Sequence, residues 1–107
     1  MNGAGMRSFV LRFAELSTAR IREGRKSVGA RGGDLEGVAR ELHSMAGEAG
    51  LLGLTEVMAF ARAAEQAAIA LGSHASNEQW GAMEAALDDV ETALFNATRG
   101  MRPEPRS

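Results

Sequence analysis

The sequence predicts an all-α fold, and three observations lead to that prediction. Twenty of the 107 residues are alanine, the residue with the highest intrinsic helix propensity. Only two prolines occur, and both lie in the last five residues, so none interrupts a helix over the rest of the chain. Apolar residues recur every three or four positions, and no stretch alternates apolar and polar residues as a half-buried strand would.

The chain is long enough for one compact domain and too short for two. We expect residues 1–5 to be a flexible N-terminus, residues 6–100 to form the helical domain, and residues 101–107 to be a flexible tail. The chain has no cysteine, which excludes disulfides and thiolate metal sites. No apolar run approaches the ~20 residues of a membrane span, and the N-terminus lacks the apolar run of a signal peptide. We therefore expect no membrane contact and a cytoplasmic location.

The first predicted helix runs from about Met6 to Lys26. Its inward stripe is predicted to consist of three large apolar residues with three smaller or β-branched residues beside them: Phe9, Phe13, Leu16, Val10, Ser17 and Ile21. Residues 28–33 are rich in glycine, which makes a helix costly, and are predicted to form a connection.

The second predicted helix begins after Asp34, a residue suited to cap a helix N-terminus, and ends at the glycine cap Gly53. Its apolar residues recur at helical spacing and define a buried face. They are Leu35, Val38, Leu42, Met45, Ala49 and Leu52.

The third predicted helix runs from about Thr55 to Leu71, and Gly72 is expected to end it in a left-handed conformation. Its stripe is Val57, Ala61, Ala64, Ala68 and Leu71. The fourth helix is predicted to start at a capping box, Ser76–Gln79, and to end near Gly100. Its stripe is Trp80, Met83, Leu87, Val90 and Leu94. Four amphipathic helices with short connections predict an antiparallel up-down-up-down four-helix bundle.

Charge is distributed unevenly along the chain. Residues 1–31 contain seven basic and two acidic residues, whereas the remainder contains five basic and twelve acidic ones. A basic first segment is typical of a solvated helix face and would also suit an acidic protein partner. Because the whole chain is acidic and has no nucleic-acid-reading motif, we expect no nucleic-acid partner.

His43 is the residue whose surroundings point to chemistry. It follows the core position Leu42 and therefore lies about 100° round the helix from the buried stripe. The face through His43 also contains Glu36, Arg40, Gly47 and Gly50. Glycine in a helix interior costs about 1 kcal/mol relative to alanine. Two glycines on one exposed face indicate that something approaches the backbone closely there.

Imidazole is suited to accepting a phosphoryl group, because a neutral ring keeps a nitrogen lone pair near neutral pH. An exposed ring nitrogen can attack phosphorus and form a phosphoramidate. Catalysis of this transfer is mostly positioning and charge neutralisation, which one histidine does not supply alone. The second histidine, His74, lies in a predicted turn, and a zinc site with His43 lacks both ligand spacing and further ligands.

The segment from His43 to Gly53 resembles the signature of histidine-containing phosphotransfer (HPt) domains. That signature is a histidine, an apolar residue two positions on, glycine four on, a small residue six on, and an aliphatic–glycine pair nine and ten on. The matching residues are Met45, Gly47, Ala49, Leu52 and Gly53. The resemblance covers about residues 35–71 in detail and the rest of the chain by helix pattern.

The resemblance implies a four-helix bundle with His43 as the phospho-acceptor near the middle of the second helix. It implies that Gly47 clears room beside the ring for a receiver domain, with Gly50 on the same contact face. The receiver would supply the aspartate, the acidic cluster and Mg²⁺, so this chain would bind no cofactor or metal of its own. The resemblance predicts a phosphocarrier of a two-component system that is not an enzyme. Its partners would be receiver domains and a sensor hybrid histidine kinase.

One position departs from the family. Members often have lysine three residues after the histidine, where it steadies the phosphate, and here that position is Ala46. Arg40, three residues before His43, lies on the same face and is the predicted substitute. The predicted phosphate- or receiver-contacting positions are therefore Arg40, Ala46, Gly47 and Gly50.

Two alternative functions are also compatible with the sequence. The first is an adaptor of the same fold that docks receivers without being phosphorylated, which the alanine at position 46 favours. The second is a helical structural or dimerisation domain, which the heptad-like stripe of the fourth helix favours. We expect a monomer, and a composition rich in alanine, glycine and arginine indicates a bacterial source.

Overall fold

The computed structural model describes residues 3–101 and contains no β-strand within them. Its four helices are α1 (Gly3–Gly29), α2 (Leu35–Leu51), α3 (Thr55–Ala70) and α4 (Asn77–Thr98). The predicted all-α, four-helix fold is confirmed. In the part of the chain from residue 3 to residue 101, none of the helices combines the length and hydrophobicity needed to cross a bilayer.

Each helix packs against two others, so the four form a closed ring. α1 contacts α2 and α4, and α3 contacts α2 and α4. The direction of α4 relative to α1 follows from their contacts. Arg25, late in α1, binds Asp88 in the middle of α4, whereas Ala14, earlier in α1, lies beside Thr98 at the end of α4. The two helices are therefore antiparallel, as an up-down-up-down bundle requires.

Helix α1 is longer than predicted and turned about its axis. It begins at Gly3, so residues 3–5 belong to the helix and not to a separate segment before it; residues 1 and 2 lie outside the described residues. It continues to Gly29, which places Val28 in the core and not in a connection. The side chains of Phe9 and Leu16 are 54% and 52% exposed, so the prediction that they point inward is wrong.

The buried face of α1 is set by the two helices it touches and not by its largest side chains. That face consists of Val10, Phe13, Ala14, Ser17, Ile21, Gly24 and Val28. It includes three small residues, which allow neighbouring helices to come close to α1. At Gly24, for example, a Cβ would lie 3.6 Å from the Val38 side chain of α2.

The predicted caps of α2 are confirmed. The Asp34 side chain accepts a hydrogen bond from the Gly37 backbone N–H at 2.8 Å, which satisfies one free donor at the helix start. At the other end Gly53 has φ +74°, and the Leu54 N–H donates to the Ala49 carbonyl at 2.8 Å. This is the Schellman arrangement, in which glycine adopts the left-handed conformation without steric penalty.

The ends of α3 and α4 match the predictions in part. Ser76 and Gln79 form the predicted capping box, with each side chain bonded to the other's backbone N–H, at 3.1 and 2.8 Å. Gly100 has φ +82° just beyond α4, as expected of a terminating glycine. Gly72 is not left-handed, because α3 ends at Ala70 and the chain leaves it through an extended residue, Leu71 (φ −73°, ψ 111°).

The hydrophobic core is continuous across all four helices. The predicted stripes of α3 and α4 are buried throughout, and Val38, Leu42, Met45 and Ala49 of α2 are buried with them. Leu35 and Leu52, at the two ends of α2, are half-buried against the core edge. Met101 is half-buried and donates its N–H to the Thr98 carbonyl at 3.0 Å; the rest of the predicted flexible tail, residues 102–107, lies outside the described residues.

A basic residue of α1 forms ion pairs with acidic residues of another helix. The Arg25 side chain donates to Asp88 at 2.6 Å and to Glu91 at 2.9 Å, which joins α1 to α4. Burial lowers the pKa of Arg25, but the hydrogen bonds to the two carboxylates raise it more, and the net shift is upward. The acidic face of α4 therefore takes part in ion pairs with α1.

Ser17 provides a test of the packing. Its side chain is fully buried, and its hydroxyl has no hydrogen-bond partner among residues 3–101. Ser17→Ala removes this unsatisfied group and improves helix propensity, so we expect the free energy of unfolding to rise by about 1 kcal/mol in chemical denaturation.

Thr98→Val is the matched control for that variant. The Thr98 hydroxyl is also buried, but it donates to the Leu94 carbonyl at 3.0 Å. Its removal should not raise the free energy of unfolding. A Ser17→Ala protein no more stable than the wild type would contradict the assignment of an unsatisfied hydroxyl.

Candidate functional site

His43 lies in the middle of α2 with its side chain 77% exposed. Its orientation follows from the neighbouring Leu42, which is buried in the core and 2% exposed. Successive residues of an α-helix are separated by about 100°, so burial of Leu42 turns His43 toward solvent at the edge of α2 nearest α3. The predicted exposure of His43 is thus found in the structure.

Glu65 of α3 contacts the imidazole directly. Its Oε2 lies 3.0 Å from Nδ1 of His43, and its side chain is only 16% exposed. The neighbouring Ala64 is fully buried, which places Glu65 on the edge of the buried stripe, facing α2. Sequence reasoning missed this partner. The available signal was a carboxylate beside the apolar stripe of a helix expected to pack on α2.

The contact determines which ring nitrogen is available for chemistry. An ionised carboxylate can only accept a hydrogen bond, so Nδ1 of His43 must carry the proton. In a neutral imidazole the other nitrogen, Nε2, then has the lone pair. Because the side chain is largely exposed, Nε2 is the nitrogen that a second molecule can reach.

A second contact fixes the register of α2 and α3. A Cβ at Gly50 would lie 3.1 Å from Sδ of Met58, so the absence of a side chain makes room for α3. Gly50 follows His43 by seven residues, and Met58 precedes Glu65 by seven. The two helices are therefore antiparallel, and Gly50 has a structural role in their packing.

Gly47 has no such role. It lies in the interior of α2, one turn after His43, and a Cβ there would meet no atom within 4 Å. Glycine in this place destabilises the helix by about 1 kcal/mol relative to alanine and gains nothing within the chain. What it leaves is bare, exposed backbone beside the histidine.

The structure does not place Ala46 and Arg40 as predicted. Ala46 is buried in the core at 3% exposure, so the expectation that it contacts a phosphate or receiver is wrong. It faces α3, where a small residue favours close packing. The Arg40 guanidinium lies 3.8 Å from Asp34 and makes no contact with His43.

The side of α2 that faces α1 is lined with ion pairs. Nε of Arg20 lies 3.1 Å from Glu41, and its Nη1 lies 3.3 Å from Glu48. Across residues 3–101, no three side chains of the metal-ligating types come together. His74 lies in the connection between α3 and α4, as predicted.

These features define a helical bundle with an exposed histidine on its second helix and a carboxylate of the third helix bonded to the ring. The family model of the Hpt domain matches residues 9–94, and the chain belongs to that family. The resemblance found in the sequence is thereby confirmed. Hpt domains serve phosphotransfer in two-component phosphorelays, as phosphocarriers and not as classical enzymes. No curated protein and no solved structure matches the chain.

The tautomer of His43 can be measured directly. We expect ¹⁵N NMR of the neutral ring to show the proton mainly on Nδ1, because the Glu65 carboxylate accepts a hydrogen bond from Nδ1–H. Glu65→Ala should shift the population toward the Nε2–H form that predominates in free imidazole side chains. His74, which is exposed in a loop, serves as an internal reference that the substitution should leave unchanged. An unchanged His43 tautomer in Glu65→Ala would show that the carboxylate does not orient the ring.

Proposed function

We propose that His43 accepts a phosphoryl group from the aspartyl phosphate of one receiver domain and passes it to the aspartate of another. The observation that supports this most directly is the 3.0 Å contact between Nδ1 of His43 and Glu65, which leaves Nε2 as the exposed nucleophile. Membership of the Hpt family supports the same reaction.

In the proposed step, the Nε2 lone pair attacks phosphorus and a P–N bond forms. The P–O bond to the aspartate breaks, and its electron pair stays on the aspartate carboxylate. The imidazole becomes positively charged, and the Glu65 carboxylate stabilises that charge while it accepts a hydrogen bond from Nδ1–H. Transfer to the next receiver is the reverse reaction. The receiver supplies Mg²⁺ and the acidic cluster, and this chain supplies an oriented nucleophile.

The proposed docking face surrounds His43 on α2. Gly47 offers bare backbone one turn after the ring, Gly50 continues that surface, and Arg40 is exposed on the same side. A receiver must bring its aspartate to within bonding distance of Nε2, and a side chain at position 47 would stand in its way. We further propose that the chain acts as a monomer in the bacterial cytoplasm, between a hybrid histidine kinase and a response regulator.

Phosphotransfer from ³²P-labelled receiver domains tests the proposal. Wild-type protein should acquire an acid-labile, base-stable label from at least one receiver of a broad panel, and His43→Gln should acquire none while remaining helical. Label on the His43→Gln variant would place the acceptor elsewhere. A folded wild type that binds a receiver but takes no label would instead establish a docking adaptor.

A side chain at position 47 should make the protein more stable and make phosphotransfer slower. Gly47→Gln should raise the free energy of unfolding by about 0.5 kcal/mol, because glutamine is the better helix former and meets no neighbour. The same variant should slow phosphotransfer more than about tenfold, because the added side chain displaces the receiver from its reactive position.

Gly81 provides the matched control. It is also exposed in a helix interior, on α4, and a Cβ there would meet nothing within 4 Å. Gly81→Gln should give a similar gain in stability and leave the transfer rate unchanged. Equal transfer rates for the two variants would refute a special role for the bare backbone at Gly47.

A further inference from the structure

We propose that Arg62 of α3 binds the phosphoryl group while it resides on His43. The inference rests on the proposed function, because it concerns the phosphorylated state of that residue. A phosphoryl group on Nε2 adds a charge of about −2 to the surface. Glu65, already in contact with the ring, adds a third negative charge nearby. A cation at this site would therefore stabilise the carrier in its loaded form.

Few charged groups face this side of the bundle. On α2 they are Glu36 and Arg40, and on α3 they are Arg62 and Glu65. Arg40 is directed toward Asp34 at the start of α2. Arg20 lies on the opposite side of α2, between Glu41 and Glu48. Arg62 is the remaining cation.

The register of α2 and α3 places Arg62 beside His43. Glu65 lies level with His43, and Met58 lies level with Gly50. Arg62 comes four residues after Met58 and three before Glu65, so it shares the edge of α3 that borders α2. Met58 and Glu65 are half-buried against α2, whereas Arg62 is exposed. Its side chain therefore starts at the exposed edge of the interface between α2 and α3, one helical turn from the level of the imidazole.

The guanidinium group of Arg62 is also not engaged by another side chain of the described residues. Within residues 3–101, its side chain makes no hydrogen bond or ion pair, unlike the guanidinium groups of Arg20, Arg25 and Arg40. Guanidinium offers two parallel N–H donors that match phosphate oxygens, and its long flexible stem can turn toward the ring. An arginine without partners at the rim of the site can bind an incoming phosphate without breaking an existing ion pair.

The test is a ³¹P NMR titration of the phosphohistidine on the full chain, loaded with phosphoramidate as a small-molecule phosphoryl donor. A nearby cation favours the dianionic phosphoryl group and lowers the pH of its titration midpoint. Arg62→Ala should therefore raise the midpoint, by about 0.2–0.7 pH units for an exposed pair. Arg62→Lys keeps the positive charge and should restore most of the shift.

Arg22→Ala is the matched control, since Arg22 is an exposed arginine of α1 that forms no ion pair within residues 3–101, and it should leave the midpoint unchanged. An unchanged midpoint in Arg62→Ala overturns the inference, as does a shift found in Arg40→Ala alone. Failure to form phosphohistidine on the wild type overturns the proposed function, and the inference with it. Phosphohistidine that forms but titrates identically in all variants overturns only the role of Arg62.

Discussion

The close packing of α2 against α3 is the constraint on which the site depends. Three of the four buried residues within α3 are alanines, and α2 contributes Ala46 and Ala49 to the core. Small side chains allow two helices to approach closely. That approach brings the Glu65 carboxylate to the His43 ring and would bring a Cβ at Gly50 to 3.1 Å from Sδ of Met58. The orientation of the imidazole is thus a consequence of core packing as much as of the histidine itself.

Some arginines of the bundle form ion pairs that join helices, and others do not. Arg20 and Arg25 connect α1 to acidic residues of α2 and α4, which accounts for part of the basic first segment and the acidic remainder. Arg62, near the histidine, has no hydrogen-bond or ion-pair partner in the described part of the chain. The proposed binding of a phosphoryl group by Arg62 depends on this division, since cations committed to holding helices together are not free to bind a phosphate.

Local sequence rules predicted much of the fold because they concern residues within a few positions of one another. Asp34, Gly53 and the Ser76–Gln79 box form their caps with residues at most five positions away. The inward face of α1 could not be read in this way. Phe9 and Leu16 are apolar and correctly spaced, yet the face that meets α2 and α4 is the neighbouring one.

The sequence by itself determined that the chain forms four helices, that His43 lies outside the buried stripe of the second, and that glycine follows it one turn later. Each of these is a property of a single helix. Only the tertiary structure decided that Glu65 contacts the ring, that Ala46 is buried, and that Arg40 turns to Asp34. His43 and Glu65 are 22 residues apart, and their contact depends on the register and separation of two helices. Periodicity within either helix specifies neither quantity.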